Sequence, residues 1–176
     1  MGNLPRLAEL LKARDMRPGH EEEATLESGL GAIAMQRDQV AEAIPHYQRV
    51  AELDPNSPGN WFNLGFAHRV LGHLDEAAAS FERAIETEPR DPRPYAELIA
   101  ISMKRSDKQG ARIIAERGVR ANPESAPMHA LLASVLLDMG DLRGAQRALE
   151  EAESIEPDSE IVRNLRRQMN TAKKRS

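Results

Sequence analysis

The sequence predicts an all-α protein, a stack of four antiparallel helical hairpins, and three observations carry that prediction. Four prolines follow an acid or an asparagine at equal intervals of 34 residues: Asp54-Pro55, Glu88-Pro89, Asn122-Pro123 and Glu156-Pro157. One such spacing is noise, but three equal ones are a period. Aligned on the prolines, residues 24–57, 58–91, 92–125 and 126–159 carry the same chemistry at the same positions. Finally, the helix formers Ala, Leu, Glu and Arg dominate, β-branched residues are sparse, and aromatics make up only 3%, so the core is aliphatic.

Taken in chain order, residues 4–15 read as a short amphipathic helix. Leu4, Leu7, Leu10 and Leu11 lie on one side and Arg6, Glu9 and Lys12 on the other. Pro18-Gly19 breaks it from the first repeat. Its expected role is to cover the open end of the first hairpin; docking into a groove, of its own chain or of a neighbour, is the alternative. Residues 1–23 thus form a leading helix and linker. The run Glu21-Glu22-Glu23 is expected just before the first repeat helix, where acids favour the positive end of the dipole.

Within each repeat the seventh residue is Leu30, Leu64, Leu98 or Leu132, and the eighth is Gly31, Gly65, Ile99 or Ala133. The twentieth is Ala43, Ala77, Ala111 or Ala145, and the twenty-fourth is Tyr47, Phe81, Ala115 or Leu149. Small residues at eight and twenty let two helices approach, and large ones at seven and twenty-four fill the space beside them. The third repeat departs, with Ile99 where a small residue is usual and Ala115 where a large one is usual. These changes oppose each other in volume and are expected to compensate. Gly72 and Gly140 stand where the first helix of a hairpin must turn, in a left-handed conformation. Pro45 lies inside a second helix, removes one ladder bond, and is expected to bend it near its start. A hairpin cannot bury its apolar face alone, so the hairpins must stack.

Residues 160–176 read as a closing helix with a basic tail. Ile161, Val162, Leu165 and Met169 are expected to form one apolar stripe, with Arg163, Arg166, Arg167 and Gln168 facing solvent. From Ile161 onward there are six basic residues and no acid. The preceding chain therefore carries −10 against a total of −4. The tail serves dipole capping and solubility, or an acidic partner surface.

The repeat pattern resembles the tetratricopeptide repeat family. The second repeat holds nearly the whole signature in Trp61, Leu64, Gly65, Ala77, Phe81, Ala84 and Pro89, and only its eleventh position departs, with His68 in place of an aromatic. The resemblance covers residues 24–159. It implies an α-α solenoid, a right-handed superhelix of antiparallel hairpins, flanked here by the N-terminal helix and the C-terminal capping helix. It also implies a concave groove lined by the first helix of each hairpin, gripping peptides or helices through positions two, five, nine, twelve and thirteen.

Carried over, those positions give Thr25, Ser28, Ala32 and Met35; Phe62, Phe66, Arg69 and Val70; Arg93, Ala96, Ala100, Met103 and Lys104; and Ala130, Ser134 and Leu137. Phe62 and Phe66 are one turn apart, Met35, Met103 and Leu137 extend the apolar character, and Arg69, Arg93 and Lys104 add a positive rim. The ligand expected is a protein, an amphipathic helix or extended segment with apolar anchors and some acidic residues. The alternative is that the Phe residues pack against the chain itself. The chaperone-tail clamp of one subclass is argued against: its positions hold Ser28, Ala32, Asn63, Arg93 and Glu97, and Glu97 repels a carboxylate.

The function expected is therefore a non-catalytic protein–protein interaction scaffold or adaptor. A self-assembling structural protein that uses the N-terminal helix, hence a homo-oligomer, is the alternative; an RNA-associated repeat has only the basic tail in support. No cysteine occurs, the histidines His20, His46, His68, His73 and His129 have no metal-ligand spacing, and no phosphate loop is present. His68 and His129 fall at aromatic-type positions and are expected to pack. No catalytic residue, cofactor or metal is expected. No apolar stretch could span a bilayer or serve as a signal peptide, so the expected location is cytoplasmic.

Overall fold

The computed structural model describes residues 19–174, and all regular structure among them is α-helical. The chain divides between Glu88 and Pro89 into two compact units. The first holds α1 (His20–Gln36), α2 (Val40–Leu53), α3 (Pro58–Val70) and α4 (Leu74–Thr87). The second holds α5 (Pro92–Lys104), α6 (Lys108–Ala121), α7 (Ala126–Asp138), α8 (Leu142–Ile155) and α9 (Glu160–Lys173). The leading helix expected at 4–15 lies outside the described residues.

In the first unit α1 pairs with α2 and α3 with α4, and α2 packs on α3. In the second, α5 pairs with α6 and α7 with α8, α6 packs on α7, and α9 lies across α7 and α8. The alanines of position twenty, Ala43, Ala77, Ala111 and Ala145, are fully buried at these hairpin contacts. The opposed residues obey a volume rule. A Cβ on Gly31 would stand 2.8 Å from the Tyr47 ring, and one on Gly65 2.9 Å from the Phe81 ring. In the third repeat the partner is only Ala115, and Ile99 fills that space in a cluster with Ala111, Ala115 and Val135.

The turns repeat as closely as the cores. The first helix of every hairpin ends on a left-handed residue: Asp38 (φ 61°), Gly72 (φ 79°), Ser106 (φ 62°) and Gly140 (φ 80°). After each, an amide bonds back five residues at 2.9 Å, Gln39 to the Ala34 carbonyl, His73 to His68, Asp107 to Ser102 and Asp141 to Leu136. This is the Schellman arrangement, and it satisfies carbonyls that the helix end would otherwise orphan. Two of the four positions hold a residue that pays a steric cost there. The second helices of the second unit start on Asp107 and Asp141, which accept from the amides of Gly110 (2.8 Å) and Gly144 (2.9 Å). A Cβ on either glycine would collide with its capping carboxylate.

A further bond recurs at position four. Trp61 Nε1 donates to the Pro55 carbonyl (2.8 Å), Tyr95 Oη to Pro89 (3.1 Å) and His129 Nε2 to Pro123 (2.7 Å). A carbonyl only accepts, so His129 carries its proton on Nε2. Each side chain ties the loop at the repeat boundary to the next helix. The packing role expected of His129 is thus a packed and hydrogen-bonded one. The first repeat has Glu27 at this position, buried and paired with His46 Nδ1 at 2.5 Å.

Three expectations are corrected. α1 begins at His20, so Glu21, Glu22 and Glu23 form its first turn instead of preceding it. The cause is Gly19, whose amide donates to Glu22 Oε2 at 3.0 Å and whose carbonyl accepts from Glu23. Ile161 is 57% exposed and leaves the buried stripe, which consists of Val162, Leu165 and Met169. Arg166 does not simply face solvent; it forms a two-pronged ion pair with Glu153 of α8. Ala130, placed on the groove wall, is only 3% exposed and belongs to the core beneath α9, but it also borders the cleft between α5, α7 and α9.

Candidate functional site

In the first unit the expected residues sit on α1 and α3. Ala32 is exposed and Ser28 is half-buried. Met35 packs partly against the cluster of Ala34, Val40 and Ala43. Phe62 is half-buried against its own hairpin, its ring centroid 5.5 Å from that of Phe81 and tilted by 54°. Phe66 is covered by the Arg69 guanidinium, 4.7 Å from the ring centroid. This contact uses the negative face of the ring to hold the cation. The aromatic wall is therefore partly absorbed by the hairpin that carries it, and Arg69 lies over that wall instead of standing as a free rim charge.

In the second unit three expected residues come together. Arg93 and Ala96 of α5 and Ser134 of α7 line a cleft of about 460 Å³. Pro92, Pro127, Ala130 and Leu131 complete those two walls, and Ile161, Asn164, Leu165 and Gln168 of α9 form the third. Ala100, Met103, Lys104 and Leu137 do not line it. Met103 instead packs partly against the Ile99 cluster and Leu137 against the core beneath α9. Ala100 and Lys104 are exposed.

The electrostatics of this cleft differ from the expected positive rim. Arg93 Nε lies 3.0 Å from both Asp91 carboxylate oxygens, and its Nη2 lies 2.7 Å from Oδ2. Asp91 also caps α5 by accepting from the Arg93 amide at 2.9 Å. Burial by itself would raise the Asp91 carboxyl, but these hydrogen bonds from Arg93 outweigh it and hold the group below its usual range. The Arg93 charge is thus compensated within two residues. The other lining residues are apolar, amide or hydroxyl.

The α9 wall escaped the reading of the sequence, although a signal for it was there. Continued one repeat further, positions two, five and nine fall on Ile161, Asn164 and Gln168. All three line the cleft. Among the described residues, no three His, Asp or Glu side chains are grouped to hold a metal ion, and no helix is long and apolar enough to cross a membrane.

Two family profiles, both described as tetratricopeptide repeat, match residues 30–100 and 102–169. Curated proteins give no match. Among solved structures, the chain is similar to a MamA protein, with 22% identity over 88% of each chain and a TM-score of 0.64. It is also similar to residues 41-end of MamA from Desulfovibrio magneticus RS-1, with 19% identity, 86% of this chain, 90% of that one and a TM-score of 0.62. A tetratricopeptide repeat protein from Parabacteroides merdae ATCC 43184 gives a TM-score of 0.72 at 12% identity, covering 88% of this chain and 61% of that one. At these identities the likeness speaks for the fold, an all-α solenoid. With the profiles spanning nearly all the described helices, the chain belongs to the tetratricopeptide repeat family of protein-interaction scaffolds.

Proposed function

We propose that this protein is a non-catalytic adaptor that holds a segment of a partner protein in the cleft between α5, α7 and α9, its array consisting of repeats 24–57, 58–91, 92–125 and 126–159. The observation that carries this reading is the cleft itself. Its walls hold Ala96, Ala130, Leu131 and Ile161, and among the described residues of the second unit no side chain fills it. Solvent-facing apolar concavities of this size are where proteins hold ligands. The small residues Ala96 and Ser134 leave room for a ligand backbone, and repeat scaffolds bind segments by this kind of surface.

Photo-crosslinking tests the reading. A photoreactive residue replaces Ser134 in one variant and Ile113 in another; Ile113 is 57% exposed on α6 and does not line the cleft. In source cells, position 134 is expected to capture a defined partner, position 113 not, and Ala96→Arg to abolish the capture. Equal products from both positions, or capture unchanged by Ala96→Arg, would refute it.

A further inference from the structure

The third wall of the cleft indicates what kind of segment fits. We infer that α9 is a ligand-contacting helix as well as a cap, and that with α5 and α7 it selects an uncharged, aliphatic-anchored extended segment. This rests on the scaffold function proposed for the same cleft. α9 divides its faces, with Leu165 at the border between core and cleft. Val162, Leu165 and Met169 are buried against α7 and α8, while Arg166 is clamped to Glu153 and Lys173 Nζ bonds Gln146 of α8 at 2.8 Å. The helix is therefore held firmly by one side. Its other side presents Ile161, Asn164 and Gln168, spaced three and four residues apart, so they form one stripe along the cleft.

The chemistry of that stripe is neutral. Arg93 is the single ionic residue on the lining, and it is held by Asp91. A charged ligand side chain would lose water there without gaining an opposite charge. An aliphatic side chain meets Ile161, Leu131, Ala96 and the two prolines at no such cost. Asn164, Gln168 and Ser134 each offer donor and acceptor together, which is what the alternating amides and carbonyls of an extended backbone require. The charge balance of the cleft thus favours a neutral segment over the acidic one that the residue types alone suggest.

Fluorescence anisotropy on the full chain tests this with ten-residue labelled peptides. One set carries two leucines among Ala, Ser and Gln; matched sets place two Asp or two Lys beside the leucines. The neutral set is expected to bind about tenfold more tightly than either charged set, and to change by less than about twofold between 50 and 500 mM NaCl. Ile161→Asp is expected to weaken binding about tenfold, and Asn164→Ala with Gln168→Ala about three- to tenfold. All three sites are at the surface, and circular dichroism checks that the helices survive. Tighter binding of the acidic set, strong salt dependence, or no binding by any set overturns the inference. Loss on Ala96→Arg without loss on Ile161→Asp overturns the role of α9 and leaves the scaffold standing. A cleft that binds peptide only after deletion of residues 1–18 belongs to the chain's own leading segment, and the inference falls.

Discussion

Ile99→Gly, made alone and together with Ala115→Phe, tests whether the third repeat keeps its packing by exchanging volume across the hairpin. Ile99 is 7% exposed and shares a cluster with Ala111, Ala115 and Val135. Removing its four side-chain carbons forfeits about 3 kcal/mol at roughly 0.8 per carbon, and glycine inside a helix adds about 1 kcal/mol. The single variant should therefore lose about 4 kcal/mol. Ala115→Phe alone inserts a ring where Ile99 already stands and should lose about 1–3 kcal/mol. The double variant rebuilds the Gly65–Phe81 arrangement, in which the ring occupies the space a Cβ would take. If the sites were independent, the double loss would be about 6 kcal/mol; with compensation it should be smaller by about 2–3 kcal/mol. Urea unfolding monitored by helical circular dichroism gives all four corners of the cycle. Losses that add to within about 0.5 kcal/mol would refute the exchange.

Three other outcomes are expected. Ser106→Gly should raise Tm by about 2–4 °C, because the left-handed conformation at φ 62° costs a residue with a side chain roughly 1 kcal/mol; Asp38→Gly should gain less, since Asp tolerates that region better, and a fall in Tm at both sites would sink the account of the turns. Tyr95→Phe keeps the buried ring but removes the bond to the Pro89 carbonyl, so denaturation should show a loss of about 0.5–1.5 kcal/mol, and an unchanged midpoint would argue against the loop tie. His68 is held below its usual value of 6.5, first by burial and then by His73, against an opposing pull from Glu76. The unfolded chain then binds more protons, so stability should be complete above about pH 6.5 and fall as pH drops toward the lowered folded value. His68→Gln should flatten the Tm profile between pH 7 and 5, and a profile unmoved by the substitution would refute the assignment.

Periodicity reaches far in a repeat protein because every hairpin solves the same packing problem. The 34-residue spacing, the alanines from Ala43 to Ala145 and the glycines at Gly72 and Gly140 arise from local requirements: close approach of two helices, a left-handed turn and a proline stop. Those requirements read directly from residue type. The opposition of Ile99 and Ala115 was legible for the same reason, since volume at a shared contact must balance. The turns at Asp38 and Ser106 were not, because neither residue announces a positive φ; only their place in the period does.

The site was less legible, because residue type does not say which neighbour a side chain meets. Phe62 and Phe66 read as an open aromatic wall, yet Phe81 and Arg69 take up part of it. Arg93 read as rim charge, yet its carboxylate partner is only two residues away on the cap of the same helix. Ile161 read as core because it is apolar at helical spacing, but α9 can bury only one face, and Val162, Leu165 and Met169 occupy it. Local chemistry and its repetition thus specify the helices, their order and their turns. The faces left open and the third wall of the cleft depend on how the helices pack on one another, and the compensation of each charge on where its side chain turns, neither of which residue type encodes.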